Sequence, residues 1–207
     1  MTIRRGEPWG HASTVPADTP SAADDGALAS LPDRSTAILT GGDVWDCLGR
    51  PNVPDEGAPC TILPVDGLRW SIVRTDGGVI EGFASSSIVI GRWTRPGHRF
   101  VCMTNTGIHD GRNIAPRAHP NDGRMDILSI DDAMPWRQRV AAWRRSRTGT
   151  HVPHPAIELR QATDFSIDAR QPGELLRIDG SAPFPSWSDG WMSLSVSIAP
   201  DRWRVVV

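Results

Sequence analysis

The chain has 207 residues, a formal charge of −2 and 22% charged residues, enough for one domain with its own core or a domain plus a small appendage. That balance offers no basic footprint for nucleic acid, and without an apolar run of about 18 residues neither export nor a transmembrane segment is expected. Three cysteines (Cys47, Cys60, Cys102) without CxxC spacing suit free thiols in a reducing cytoplasm better than disulfides or zinc. Every basic residue is arginine, and nine Trp stand against four Phe and no Tyr, a bias that points to a GC-rich bacterial coding sequence. Residues 1–66 carry ten acids against four arginines, whereas 67–207 carry fourteen against eighteen.

Residues 1–35 are rich in Pro, Asp, Ala and Ser, with one short helix expected over Asp24 to Leu31. Thr36 to Thr40 reads as a buried strand entering the Gly41-Gly42 turn, with Asp43 placed to cap a helical turn that follows. From Cys60 onward, short β-branched runs recur between turn signals: CTILPV, LRWSIV, GVIEGF, SSIVIG, RFVCMT, MDILSI, AIELR, DFSID, ELLRID, LSVSI and RWRVVV. Alternation within several of them predicts half-buried strands of a sandwich or barrel. One helix interrupts the series. Asp131 or Asp132 can cap it, Pro135 fits its first turn, and Trp136, Val140 and Trp143 share a face. Arg137, Arg139, Arg144, Arg145 and Arg147 occupy its remaining surface and C-terminal end.

Asn105 to Asp126 (NTGIHDGRNIAPRAHPNDGRMD) gathers Gly107, Asp110, Gly111, Pro116, Pro120, Asn121 and Gly123 around a short apolar segment. So many special backbone positions suit a shaped polar corner. A hard cation such as Mg²⁺ takes oxygen ligands, and Asp122 could offer a carboxylate beside the main-chain oxygens of His119 and Arg124. The same residues also read as an Asn-Asp-Gly hairpin turn. His151 and His154 lack an obvious third metal ligand. The arginine-rich helix is either a solvated face or a surface for anionic headgroups. Trp187 and Trp191 either line an apolar cleft or close a hairpin.

The order of motifs resembles the C-terminal domain of diacylglycerol kinases and related bacterial lipid kinases. Asn105-x-Gly107, Gly111, Ile114-Ala115-Pro116-x-Ala118 and Asn121-Asp122-Gly123-x-Met125-Asp126 are similar to that family's Asn-Gly, glycine cluster and Ile-Ala-Pro-x-Ala-x-x-Asp-Asp-Gly-x-Leu-Asp. Gly149-Thr150-His151, Leu176 to Gly180 and Ala199 to Val207 continue the likeness. The resemblance implies a β-sandwich, a structural Mg²⁺ at Asp122 with the carbonyls of His119 and Arg124, and Asp179 as general base for a lipid hydroxyl. Ser181 stands where the family usually has Glu. Gly41, Gly42 and Asp43 resemble the family's phosphate loop, but Val44 and Trp45 replace its Gly-Thr. Gly42 to Gly49 is also similar to a later segment of the nucleotide domain, the alignment that spacing favours.

These residues lead to a mainly β fold: an antiparallel sandwich over 56–207 with one inserted arginine-rich helix, and a truncated α/β remnant over 1–55. The functional expectation is a reduced lipid-kinase-like protein, a pseudoenzyme without phosphotransfer of its own, binding a lipid or small ligand or serving as an interaction module. ATP is not expected to bind this chain alone. The alternative is an active lipid kinase whose nucleotide site is completed by a partner or a second subunit. The partners this reading admits are a lipid or small molecule, a peripheral membrane surface and a homodimer mate.

Overall fold

The computed structural model describes residues 8–170, 174–180 and 190–207. The readings placed on Ser181 and Trp187 lie outside them. Short β1 (His11–Thr14) and β2 (Ser21–Ala22) precede α1 (Asp25–Ala29), β3 (Thr36–Leu39) and α2 (Gly42–Cys47). Then come β4 (Pro59–Arg74), β5 (Val79–Ala84), β6 (Ser87–Gly91), β7 (Phe100–Thr104), a small hairpin of β8 (Ile108–His109) with β9 (Arg112–Asn113), and β10 (Met125–Ile130). After α3 (Trp136–Arg145) follow β11 (Ile157–Ala162), β12 (Asp164–Asp168), β13 (Leu176–Ile178) and β14 (Trp191–Val206).

Two sheets form the expected mainly antiparallel sandwich. One runs β1-β4-β14-β3-β2, with β5 also paired to β4 and β12 to β14; the other runs β11-β10-β7-β6-β13. Among the described strands only β3 pairs in parallel, with β14 and with β2, so residues on both sides of position 55 contribute to one sheet. Leu68, Trp70, Ile72, Leu194 and Val196 of the first sheet pack against Ile88, Ile90, Met103, Ile127 and Ile178 of the second. Their alternation along each strand follows from the two-residue repeat that sends successive side chains to opposite faces. A second cluster covers the outer face of the five-stranded sheet, where Val89, Phe100, Cys102 and Leu128 meet Trp93, Ile114 and Ala142. A third seats α1, β3 and α2 against Val65, Trp203 and Val205.

Three local expectations are corrected. CTILPV and LRWSIV are one 16-residue strand, as are LSVSI and RWRVVV. The β4–β14 ladder shifts register between Ala199 and Trp203, which lets the Ala199-Pro200-Asp201 bend stay within one strand as a bulge. Gly67 gives Trp203 its place, since a Cβ there would lie 2.7 Å from the indole. The buried face of α3 is Arg139 and Ala142, while Trp136 is 55% exposed. Asp131 accepts a bond from the Ala133 amide at 2.9 Å, and Pro135 occupies the N-cap position.

Candidate functional site

Two polar corners of the sandwich hold the residues that the sequence singled out. The first lies where α1, α2, β8 and the end of β13 converge. Gly41 and Gly42 turn the chain into α2, and Gly42 adopts φ +94°. A Cβ on Gly42 would sit 2.5 Å from Asp25 Oδ1, so the glycine is needed for Asp25 to reach the helix. Asp25 is 6% exposed, and its carboxylate accepts the amides of Asp43 at 2.7 Å and Val44 at 3.0 Å. It therefore satisfies donors that a helix start leaves open. Asp43, expected to cap α2, turns outward to accept the amides of Asp110 at 3.1 Å and Gly111 at 2.9 Å. This ties the front of the Asn105–Asp126 stretch to α2.

Asp179 is brought into the same corner. Its φ is +48°, and its carboxylate accepts three successive amides, Ser85 at 2.7 Å, Ser86 at 2.8 Å and Ser87 at 3.0 Å. The Ser85 hydroxyl in turn donates to the Asp25 carbonyl at 2.9 Å. A carboxylate has about four acceptor positions, and three are taken. Burial pushes Asp25 up to about 7, against the two amides that favour its charge and with Asp179 and Asp43 adding repulsion. Burial likewise raises Asp179 to about 6 despite its three amides, and it raises Asp43. Burial lowers the buried His109, opposed by the charges of Asp110 and Asp43. A group near 6 or 7 is basic enough to accept a proton at neutral pH. Asp25 was missed in the sequence, although Asp24-Asp25 held the signal: Asp24 caps α1 through the Ala27 amide at 2.7 Å, which leaves the second carboxylate to act elsewhere.

The second corner is built on Asp66, in the middle of β4 and 1% exposed. It accepts the Asn121 side-chain amide at 3.1 Å and the amides of Gly123 and Asp201, both at 2.9 Å. Asp122 lies on the outer side of this turn, half-buried, and accepts the Arg124 amide at 2.9 Å. The His119 carbonyl receives the Asp122 amide at 3.3 Å. Asp126, buried beside Asp122, is pushed up to about 6 by burial. Among the described residues no three His, Cys, Asp or Glu side chains converge as a metal cluster. The donors here are all oxygens, however, and the buried Asn121 Oδ1 has no hydrogen-bond partner. One carboxylate, main-chain carbonyls and an orphaned amide oxygen fit a hard cation such as Mg²⁺.

His151 and His154, which lack an obvious third metal ligand in the sequence, each meet a main-chain group. His151 Nε2 meets the Ile114 carbonyl at 3.1 Å, and His154 Nδ1 accepts the Ala156 amide. Cys47, Cys60 and Cys102 are free thiols. Among the described residues no helix is long and apolar enough to cross a membrane.

The first corner gives a pH signature. A carboxylate raised on folding binds protons that the unfolded chain does not, so its contribution to stability grows as pH falls through the folded value and saturates below the unfolded one, near 4. Asp25 and Asp179 together are expected to add about 1 kcal/mol, or about 3 °C in Tm, between pH 8 and 6.5. From about pH 7.5 downward His109, His119 and His151, all lowered by burial, act in the opposite sense, because the unfolded chain, with imidazoles near 6.5, takes up their protons first. The signature is therefore a difference between chains: as pH falls from 8 to 6.5, wild type should gain about 0.8 kcal/mol, or about 2 °C in Tm, on Asp25→Ala. An unchanged difference would show that Asp25 does not titrate there.

Residues 88–206, more than half of the chain, match the family described as YegS C-terminal NAD kinase beta sandwich-like domain. Among solved structures, a protein described as a diacylglycerol kinase from Bacillus anthracis str. Sterne superposes with TM-score 0.51 at 14% identity, covering 91% of this chain and 77% of that one. Yeast NADH kinase, solved with NADH, superposes with TM-score 0.51 at 13% identity, covering 89% of this chain and 60% of that one. No curated protein sequence matches. At these identities the superpositions speak to fold alone, but the family match takes in Asp122, Asp126 and Asp179, and the sandwich is the fold the motifs implied. The chain belongs to the YegS C-terminal, NAD kinase beta sandwich-like family.

Proposed function

We propose that this is a reduced lipid-kinase-like protein that binds a lipid or small ligand, or serves as an interaction module, and transfers no phosphoryl group on its own. The observation that carries this reading is Asp25. In a glycine-turn nucleotide site, the amides at the helix start face the phosphates. Here the amides of Asp43 and Val44 are already bonded to a buried carboxylate of the same chain. Asp43 and Asp179 stand beside it as further negative groups, so a phosphate chain would meet repulsion where it needs donors. Asp179 would be the general base of an active relative, yet in this chain its carboxylate fastens β13 to the 85–87 turn.

A structural Mg²⁺ at the second corner would be held by Asp122 with the main-chain oxygens of His119 and Arg124. Its role would be to neutralise the carboxylates around that turn. Peripheral membrane contact is supported by the outward face of α3, where Arg137, Arg144 and Arg145 are exposed beside Trp136. The test is calorimetric titration of the purified chain with Mg-ATP. No saturable heat is expected up to millimolar nucleotide; micromolar binding, or labelled phosphate transferred to diacylglycerol, would overturn the reading.

A further inference from the structure

Arg177 forms no ion pair among the described residues. On β13 it sits opposite Val89 of β6, between Leu176 and Ile178, which point into the sandwich core. Alternation therefore sends Arg177 to the other face of the sheet. Its Nε is sealed from solvent and has no hydrogen-bond partner. Leaving that N–H sealed and without an acceptor opposes folding, because its lost hydration is not replaced. Such a cost is maintained where something else supplies the acceptor.

Arg177 lines a cavity of about 210 Å³ together with Arg92, Trp93, Phe100, Trp143 and His109. Trp93 and Phe100 are almost fully buried and pack edge to face at 5.1 Å, so the floor is rigid and apolar. Arg112 lies over the Trp143 ring at 3.9 Å and donates to the Trp143 carbonyl, with Arg147 close enough to be felt electrostatically. Among the described residues Asp110 is the one carboxylate on the wall, and its Oδ2 lies 3.6 Å from His109 Nε2. At about 30 Å³ per water, the space holds roughly seven waters, the size of a small polar metabolite or a lipid headgroup.

We propose that this cavity binds a phosphate monoester of a small polyol, with Arg177 and Arg92 on the phosphate and Asp110 accepting a hydroxyl. Guanidinium groups match phosphate oxygens in pairs, and a lone carboxylate in a cationic pocket selects for a ligand that also carries O–H donors. The proposal deepens the ligand-binding part of the reading above by naming a site and a ligand class. The groups that would hold this ligand are Arg177, Arg92 and Asp110, not the Asp43 and Val44 amides that Asp25 occupies, so ATP titration and the titration below can fail independently.

The test titrates the full chain with sn-glycerol 3-phosphate by calorimetry. In parallel, it is sedimented with phosphatidylcholine vesicles prepared with and without phosphatidic acid. Saturable binding of the free ester, or binding only to vesicles that contain phosphatidic acid, supports the site and separates a free metabolite from a lipid headgroup. Arg177→Gln should weaken the binding seen by roughly tenfold or more. Arg177→Met should melt at or above the wild-type temperature without ligand, because it removes a sealed N–H that has no acceptor. The proposal is overturned if neither probe binds, if Arg177→Gln binds as wild type does, or if Arg177→Met is destabilised in the ligand-free state.

Discussion

Arg139→Leu is expected to lower the melting temperature by about 10 °C or more, a loss of about 4 kcal/mol. Arg139 is 0% exposed and forms no ion pair among the described residues. Its guanidinium instead donates to five carbonyls: Met134 at 3.3 Å, Trp93 at 3.2 Å, and Arg95, His98 and Asp131 at 2.9 Å each. Its own carbonyl accepts the Trp93 indole N–H at 2.9 Å. One side chain thus fastens α3 to the 93–98 loop and to the turn that begins at Asp131. Leucine fills part of the volume but leaves those buried acceptors without a donor, the costly half of a broken hydrogen bond. Arg139→Lys keeps the charge and at most three donors, so it should fall between the two. Because Trp93 and Trp143 also wall the Arg177 cavity, the Leu variant should lose ligand binding along with stability. Thermal melts that leave Arg139→Leu within about 2 °C of wild type would show that the carbonyls find other donors.

The strand rhythm from Cys60 to Val207 was readable because each strand buries one face, and burial writes a two-residue alternation into the chain. Where the reading failed, tertiary partners overrode local signals. Pro64 and Asp66-Gly67 look like a break between two strands, yet β4 continues through them. Strand β1 covers its edge only to Ile62 and β5 only from Leu68, so Pro64 falls in the uncovered interval where a missing N–H costs least. The Trp9 indole bonds the Pro64 carbonyl there at 3.0 Å. Arg139 was assigned to the outer surface of α3 because arginine is seldom buried; nothing local announces five carbonyls converging from other segments. In the candidate site, Asp122, Asp179 and Gly41 to Asp43 were legible from motif order and turn residues. Asp25 and Asp66 were not, since their roles exist only when segments 18 and 55 or more residues apart in sequence meet.

Asp66→Ala should destabilise the chain by about 3–4 kcal/mol, or about 10 °C, although the residue lies outside every motif of the family resemblance. At neutral pH its carboxyl, raised by burial to about 6, is ionised in most molecules and accepts three donors from two distant segments. Its main chain adds two more ties, the Asp66 amide to the Pro120 carbonyl at 2.7 Å and the Asn105 side chain to the Asp66 carbonyl at 2.6 Å. Alanine keeps the main-chain ties but orphans the amides of Gly123 and Asp201 and leaves the Asn121 side chain with Asp201 Oδ1 alone, at 3.0 Å, so the 119–124 turn loses most of its anchor. Asp122→Ala offers the contrast. It removes one exposed bond to the Arg124 amide and should cost less than about 1 kcal/mol. Adding Mg²⁺ separates the two roles. A cation that binds only the folded chain raises Tm with its concentration, and wild type should show that rise. Asp122→Ala should lose it with little change in basal Tm, because a ligand is gone. Asp66→Ala should lose it together with basal stability, because the turn that presents the ligands is no longer held. A Tm of wild type that does not respond to Mg²⁺ removes the ion from the corner and leaves Asp66 as a purely structural clasp. A response that survives in Asp122→Ala puts the ion elsewhere.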